Sequence, residues 1–378
     1  MSYRYDSAFI KPGLNPLVAP TPTILYNLYS WGNNGDGQLG LSNTTDYSSP
    51  KQVGSLTNWL QIASGYAFSV SITTDGKLYA WGDGGSGQLG LGNTTTYSSP
   101  KQVGSLTTWS KIAVSVTSCV AVKTDGTLWA WGAGTNGQLG LGNTTSYSSP
   151  KQIGLLQTWS NVSGSGSQNF YIAVKTDGTL WSWGQNSAGQ LGDGTTTNRS
   201  SPVQIGALTN WSKVFAGGSF CISITTTGQL YAWGNNSAGK LGLGNETYYS
   251  SPKQVGALTN WSSAAGGVTH TISVKTDGTL WSWGNNDTGQ LGLNNLTYYS
   301  SPKQIGSLQT WSTVGVGGRN SFAIKTDGTL WSWGRNSSGQ LGLGNTTNIS
   351  SPVQVGSSTG WLKIVGSLRN ASHTLSLG

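Results

Sequence analysis

Two histidines and two cysteines are the residues of this chain best suited to acid–base or nucleophilic chemistry. When the chain is aligned on its internal repeat, the histidines share one position with Phe68, Ser118, Phe170, Phe220 and Asn320. Because that position accepts phenylalanine and histidine alike, we expect His270 and His373 to pack in the core. Cys119 and Cys221 both align with Ser69, in copies two apart, which is too far for a disulfide. We therefore expect buried free thiols.

The carboxylates and glycine-rich turns do not suggest a cofactor site. Asp36, Asp83 and Asp287 do not fall at one repeat position, so they form no ring of oxygen ligands for a cation. Segments 35–40 and 85–90 match the glycine spacing of a dinucleotide-binding loop, but no strand-to-helix unit surrounds them. The sequence predicts no catalytic residue, no metal and no cofactor.

The elements that carry these residues are seven copies of one unit. Each copy has a Trp-Gly pair, a Gly-Gln-Leu-Gly turn with Lys240 replacing Gln once, a Ser-Ser-Pro and a second tryptophan. The Trp-Gly pairs begin at Trp31, Trp81, Trp131, Trp183, Trp233, Trp283 and Trp333, with spacings of 50, 50, 52, 50, 50 and 50 residues. The second tryptophans are Trp59, Trp109, Trp159, Trp211, Trp261, Trp311 and Trp361.

Within a copy, the pattern is one of short strands. Residues 68–72 alternate large and small side chains, 74–76 supply a Thr-Asp-Gly hairpin turn, and 77–81 return as another strand. Pro50 suits the start of an outer strand, where a missing N–H does least harm. The chain has 378 residues, of which 57 are glycine and 18 are tryptophan, while only 8% are charged. We predict an all-β, seven-bladed β-propeller.

The two ends of the chain complement each other. The last copy stops after 372–377, where every other copy continues into a Trp-Gly strand, and residues 24–32 provide that strand at the amino terminus. We therefore predict that the amino-terminal strand pairs with the carboxy-terminal blade and closes the ring. The expected domains are an extended arm, 1–23, and a propeller, 24–378.

These motifs resemble the regulator of chromosome condensation repeat family. The shared features are the Trp-Gly strand, an Asn-rich turn, Gly-Gln-Leu-Gly, a proline and an Asp-Gly hairpin, and they cover 24–378. The resemblance implies a seven-bladed propeller of a bacterial or phage type. It implies several functions, because the family includes nucleotide exchange factors, a plant photoreceptor, bacterial β-lactamase inhibitors and phage proteins.

Departures from the repeat are the candidate partner-binding residues. Arg319-Asn320 and Arg369-Asn370 lie in corresponding loops of neighbouring blades, so we expect them to be close together. Tyrosine pairs precede two Ser-Ser-Pro motifs, at Tyr248-Tyr249 and Tyr298-Tyr299. Tyrosine and arginine are enriched at interface hot spots. In the arm, Tyr3, Arg4, Tyr5 and Phe9 are the candidate tethering residues.

The net charge of +8 does not form a basic patch. One row of lysines follows the blade prolines, and a second row, Lys123, Lys175, Lys275 and Lys325, lies two residues before the turn aspartates. We expect solvated rims in which some of the lysines pair with aspartates, and no specific nucleic-acid binding. The longest apolar runs are too short to span a membrane, and the amino terminus lacks the pattern of a secretory signal.

The sequence favours a non-enzymatic structural or recognition propeller. Low charge, similar copies and a proline-broken arm suggest a disc tethered to a larger assembly, and we predict a phage virion surface component, either tail-associated or decorating. The expected partners are proteins of that assembly and a host surface glycan or protein. A protein-binding inhibitor or adhesion module of a bacterial surface is an alternative, and a guanine-nucleotide exchange factor is another. The expected location is the virion or an extracellular surface, with the cytoplasm as the alternative.

Overall fold

The computed structural model describes residues 26–368 and 373–378. They form 28 short strands and one 3-10 turn, Ser237–Gly239, arranged as seven antiparallel four-stranded sheets. The strands begin with β1 (Leu28–Gly32) and β2 (Tyr47–Gln52). Blade I contains β3 (Trp59–Ser64), β4 (Phe68–Thr73), β5 (Leu78–Gly82) and β6 (Tyr97–Gln102). Blade II contains β7 (Trp109–Val114), β8 (Ser118–Lys123), β9 (Leu128–Gly132) and β10 (Tyr147–Gln152).

The remaining blades repeat this order. Blade III contains β11 (Trp159–Gly164), β12 (Phe170–Lys175), β13 (Leu180–Gly184) and β14 (Arg199–Gln204). Blade IV contains β15 (Trp211–Ala216), β16 (Phe220–Thr225), β17 (Leu230–Gly234) and β18 (Tyr249–Gln254). Blade V contains β19 (Trp261–Gly266), β20 (His270–Lys275), β21 (Leu280–Gly284) and β22 (Tyr299–Gln304). Blade VI contains β23 (Trp311–Val316), β24 (Asn320–Lys325), β25 (Leu330–Gly334) and β26 (Ile349–Gln354). Blade VII combines β27 (Lys363–Gly366) and β28 (His373–Leu377) with β1 and β2.

The strand order gives the disc two different faces. The first strand of each blade lines a central channel of about 300 Å³, and the fourth strand lies outermost. Loops joining the first strand to the second, and the third to the fourth, emerge on one side, which we call the loop face. The Asp-Gly hairpins and the connections between blades emerge on the other side, which we call the hairpin face.

The ring closes as predicted, by pairing of the two chain ends. β1 pairs antiparallel with β28, from Leu28 opposite Leu377 to Gly32 opposite His373, and it pairs with β2 on its other side. This closure removes the open sheet edge that an interrupted blade would expose. Of the segment 24–32, the described part adds a bridge between Tyr26 and Asn58 in the next connection.

The blade prolines are on outer strands, but not where the sequence suggested. Pro50 is the fourth of the six residues of β2 rather than the first. The register shifts between Ser30, opposite Lys51, and Gly32, opposite Tyr47, so Pro50 lies in an irregular stretch of the ladder. A missing N–H is tolerated at such a bulge.

A repeated hydrogen bond joins each blade to the next. The indole N–H of each Trp-Gly tryptophan donates to the backbone carbonyl of the Gln, or Lys240, in the preceding Gly-Gln-Leu-Gly turn, at 2.8–3.0 Å. We call this contact the indole latch. The last glycine of the turn must be glycine: a Cβ on Gly90 would lie 2.7 Å from the Trp131 Nε1, and its φ is +73°. All seven of these tryptophans are completely buried, so the hydrophobic core lies between the blades.

Candidate interaction surface

The histidines and cysteines are packing residues, as predicted. His270 and His373 are buried, and each shares a hydrogen bond through Nε2 with a serine hydroxyl, Ser321 at 2.8 Å and Ser69 at 2.9 Å. Burial lowers the pKa of His270 to about 3, so its imidazole is neutral at ordinary pH. Cys119 and Cys221 are buried free thiols, and burial raises their pKa.

Residues 26–368 and 373–378 contain no group of three or more His, Cys, Asp or Glu side chains that could hold a metal ion. No helix in this part of the chain has the length and apolar character of a membrane span. The prediction that the protein lacks catalytic activity and cofactors stays a prediction.

The Arg319-Asn320 pair separates into one exposed and one buried residue. Arg319, in the first loop of blade VI, reaches the loop face of blade V and forms an ion pair with Asp287 at 2.8 Å. Asn320 begins β24 and occupies the core position of Phe68, where it is 1% exposed, so it does not present its side chain to a partner. Arg369 and Asn370 lie outside the described residues, as do Tyr3, Arg4, Tyr5 and Phe9.

A loop-face position just before the outer strand distinguishes blades IV and V from the rest. In five copies a polar side chain there accepts a hydrogen bond from a backbone N–H in the turn after Trp-Gly, as in Asp46 with Asn34 at 2.7 Å. The other four acceptors are Thr96, Ser146, Asn198 and Asn348. Blades IV and V have Tyr248 and Tyr298 instead, and neither makes this contact.

In both tyrosine pairs the first tyrosine is exposed and the second is half-buried. Tyr248 and Tyr298 are 51% and 55% exposed, and the Tyr248 hydroxyl accepts a hydrogen bond from the Asn235 side chain at 2.9 Å. Tyr249 and Tyr299 are half-buried, and lysine ammonium groups lie over their rings at 5.5 and 5.3 Å. Only the first tyrosine of each pair is therefore available to a partner.

Several exposed departures from the repeat lie on the loop face of three consecutive blades. Leu296 is 63% exposed and belongs to the same loop as Tyr298. We call Tyr248, Asp287, Leu296, Tyr298 and Arg319 the IV–VI surface. It combines two aromatic rings, a leucine and an exposed arginine–carboxylate pair, which is the composition of a protein-binding patch.

The predicted pairing of the second lysine row with aspartates is wrong. The ammonium groups of Lys123, Lys175, Lys275 and Lys325 lie 3.6–4.0 Å from the ring centroids of Trp129, Trp181, Trp281 and Trp331. The turn aspartates are engaged elsewhere: Asp177 accepts hydrogen bonds from the backbone N–H and the hydroxyl of Thr179, at 2.9 and 2.6 Å. Burial, the dominant effect, lowers the pKa of Lys123, Lys175 and Lys275.

A sequence signal for these contacts existed. Every copy with this lysine has tryptophan two residues before Trp-Gly, whereas copies with Thr73 or Thr225 at the lysine position have Tyr79 or Tyr231 there. Comparing the copies for paired changes would have linked each lysine to its ring.

Comparison with protein families agrees with this architecture. An RCC1-like domain matches residues 165–375, and the regulator of chromosome condensation (RCC1) repeat matches 27–72, 75–122 and 125–172. The chain belongs to the RCC1-like family. This RCC1-like propeller has no match among curated protein sequences.

Solved structures share the fold of this RCC1-like propeller. Human WBSCR16 superposes with a TM-score of 0.82 and 19% identity, covering 93% of this chain and 98% of that one. Prp20p from Saccharomyces cerevisiae, studied for its binding to Gsp1p and histones, has a TM-score of 0.82 and 18% identity, covering 94% of this chain and 91% of that one. Yeast RCC1 (Prp20) in complex with Kap60 has a TM-score of 0.81 and 17% identity, covering 100% of this chain and 96% of that one. At these identities, the likeness shows the fold alone.

Proposed function

We propose that this RCC1-like propeller is a non-enzymatic recognition module that binds a protein partner through the IV–VI surface. The observation that carries the proposal is the replacement of a structural hydrogen-bond acceptor by exposed tyrosine in two adjacent blades. Tyr248 and Tyr298 do not accept the backbone N–H hydrogen bond that the side chains of five other copies accept, and their aromatic rings are exposed instead. That yeast Prp20p (RCC1), a protein of the same fold, binds Gsp1p, histones and Kap60 supports the same class of function.

The test replaces both tyrosines by the residue of blade II. Tyr248→Ser with Tyr298→Ser provides the acceptor that Ser146 supplies in its own copy, so the fold is expected to be maintained or stabilised. Truncating a hot-spot residue costs about 2 kcal/mol or more, so the loss of even one of the two predicts at least about a thirtyfold loss of affinity. Affinity capture from the native source, quantified by mass spectrometry, identifies the partner, and calorimetry measures its Kd.

The control is Leu155→Ser with Leu208→Ser, which removes two exposed leucines from the hairpin face, outside the pockets between neighbouring blades. A partner that is retained by the control and lost by the tyrosine variant supports the proposal. Equal retention by both variants, or loss by the control alone, contradicts the IV–VI surface as the binding site.

The narrower form of the proposal places the propeller on a virion surface, tethered by residues 1–23. It rests on the sequence: low charge, similar copies and the proline-broken arm. Mass spectrometry of purified particles is the test. Recovery of the chain with particles, and its release when Tyr3, Arg4, Tyr5 and Phe9 are replaced by serine, would support tethering; recovery only from host cytosol would contradict it.

A further inference from the structure

Four similar pockets lie between neighbouring blades, each against a tryptophan pair, with volumes of about 370, 390, 390 and 450 Å³. In three of them a lysine of the second row also lines the pocket: Lys175 with Trp159 and Trp181, Lys275 with Trp261 and Trp281, and Lys325 with Trp311 and Trp331. We call these three the Lys–Trp pockets. The fourth pocket, against Trp109 and Trp129, does not have Lys123 in its wall. Volumes of this size are typical of small-molecule sites.

The walls of the pockets are mostly apolar. In the pocket between blades II and III, Leu141, Ile153 and Leu156 face the two indoles, and Lys175 and Gln152 contribute the polar groups. The pocket between blades IV and V repeats this lining with Leu243, Val255, Leu258, Lys275 and Gln254. Such a lining combines an apolar enclosure with one cationic group at a fixed position.

In two of these pockets the lysine is buried and forms no direct ion pair, and the turn aspartates Asp177 and Asp277 act on it only through longer-range attraction. Lys175 and Lys275 are only 6% and 7% exposed, and their ammonium groups lie 4.8 and 4.9 Å from the second tryptophan centroid as well as over the first. Within 26–368 and 373–378, no carboxylate forms an ion pair with either ammonium group and neither donates a hydrogen bond. An ammonium group removed from water is unfavourable until a counter-charge reaches it, and the aromatic faces compensate only partly.

The charge and the walls together specify the ligand. One ammonium group matches a monoanion, whereas a phosphate would require more donors than the pocket offers. The leucines and indoles require an apolar body next to that anion. We propose that each Lys–Trp pocket binds a small amphipathic carboxylic acid, with its carboxylate on the lysine ammonium and its apolar part between the leucines and the indoles.

The test uses 3-phenylpropionate as the probe and ¹⁹F NMR of protein labelled with 5-fluorotryptophan as the readout. The signals of Trp181, Trp281 and Trp331 should shift and saturate, and each is assigned by its Trp→Tyr variant, the residue used in three other copies. The neutral isostere 3-phenylpropionamide should bind at least about tenfold more weakly, because it offers no charge to the ammonium group. Signals that do not move, or equal binding of the amide, would overturn the proposal.

A single substitution provides an internal control. Lys175→Met keeps the aliphatic stem over Trp181 but removes the charge, so the Trp181 response should be lost while the Trp281 signal still shifts in the same molecule. The persisting Trp281 response reports that the variant is folded. A Trp181 response unchanged by Lys175→Met would refute the role of the ammonium group.

The converse experiment adds a site. Blade I has Thr73 and Tyr79 at the two positions and keeps Leu41, Val53 and Leu56 at the positions of the pocket wall. Thr73→Lys with Tyr79→Trp should therefore create an additional responding tryptophan signal at position 79. Destabilisation cannot produce such a gain. A folded double variant in which the signal at position 79 does not respond would count against the proposal. Both outcomes are independent of the IV–VI surface.

Discussion

At the scale of single residues, Lys240 shows what the repeat normally requires. In other copies a glutamine amide at this position holds the turn, as when Gln88 Oε1 accepts a hydrogen bond from the Ser86 N–H at 2.7 Å. Lysine has no acceptor, and in this copy alone the turn is a 3-10 segment with Ala238 at φ +56°. Burial lowers the pKa of Lys240 to about 8.

We predict that Lys240→Gln stabilises the protein. The folded state holds the lysine pKa at about 8, against 10.5 when it is unfolded, which amounts to a penalty of about 3 kcal/mol. The unfolded chain binds the extra proton between these two values, so the penalty is complete below pH 8 and fades as the pH rises toward 10.5. Denaturant unfolding of both proteins across this range should show a stability difference that shrinks with pH.

Lys253→Gln is the matched control, because it removes the same charge from an exposed position. Its effect should stay within about 0.5 kcal/mol at every pH. A Lys240→Gln gain that is constant with pH would show that turn geometry, rather than the buried charge, limits stability.

At the scale of elements, the indole latch explains why the Gly-Gln-Leu-Gly turn is repeated. Gly90→Ala should lose about 1–2 kcal/mol from its left-handed backbone and about 1–3 kcal/mol more from displacing the Trp131 indole from the Gln88 carbonyl. Thermal unfolding measures the total.

Gly104→Ala separates the two contributions. Gly104 has a similar φ of +61°, but nothing lies within 4 Å of a Cβ placed there. Gly104→Ala should therefore lose only the about 1–2 kcal/mol that comes from the left-handed backbone. Equal losses in the two variants would show that the latch contributes nothing beyond conformational strain.

At the scale of the whole molecule, the closing strand joins the two ends of the chain. Deleting residues 1–32 removes β1 and leaves β28 with an open edge, so we expect a lower Tm and self-association, measured by calorimetry and analytical ultracentrifugation. A synthetic peptide of residues 26–32 should restore the monomer by strand addition, and the same peptide with Trp31→Ser should not. Unchanged stability after the deletion would show that closure is dispensable.

The sequence predicted the ring and its closure because the repeat fixes both the number of strands and the one that is missing. It could not separate Tyr248 from Tyr249, or Arg319 from Asn320, because neighbouring residues at a strand boundary differ in exposure only through tertiary packing. The lysine–tryptophan contacts were missed because charge was compared with the nearest carboxylates, although paired changes between copies carried the information.

The position of β1 has a mechanical consequence. β1 is hydrogen-bonded on both sides, to β28 and to β2, and the chain enters it from the Tyr26 side. A pulling force applied before Tyr26 and directed along β1 must shear both ladders at once instead of opening one bond after another. Load in that direction would therefore be resisted by two ladders of hydrogen bonds together.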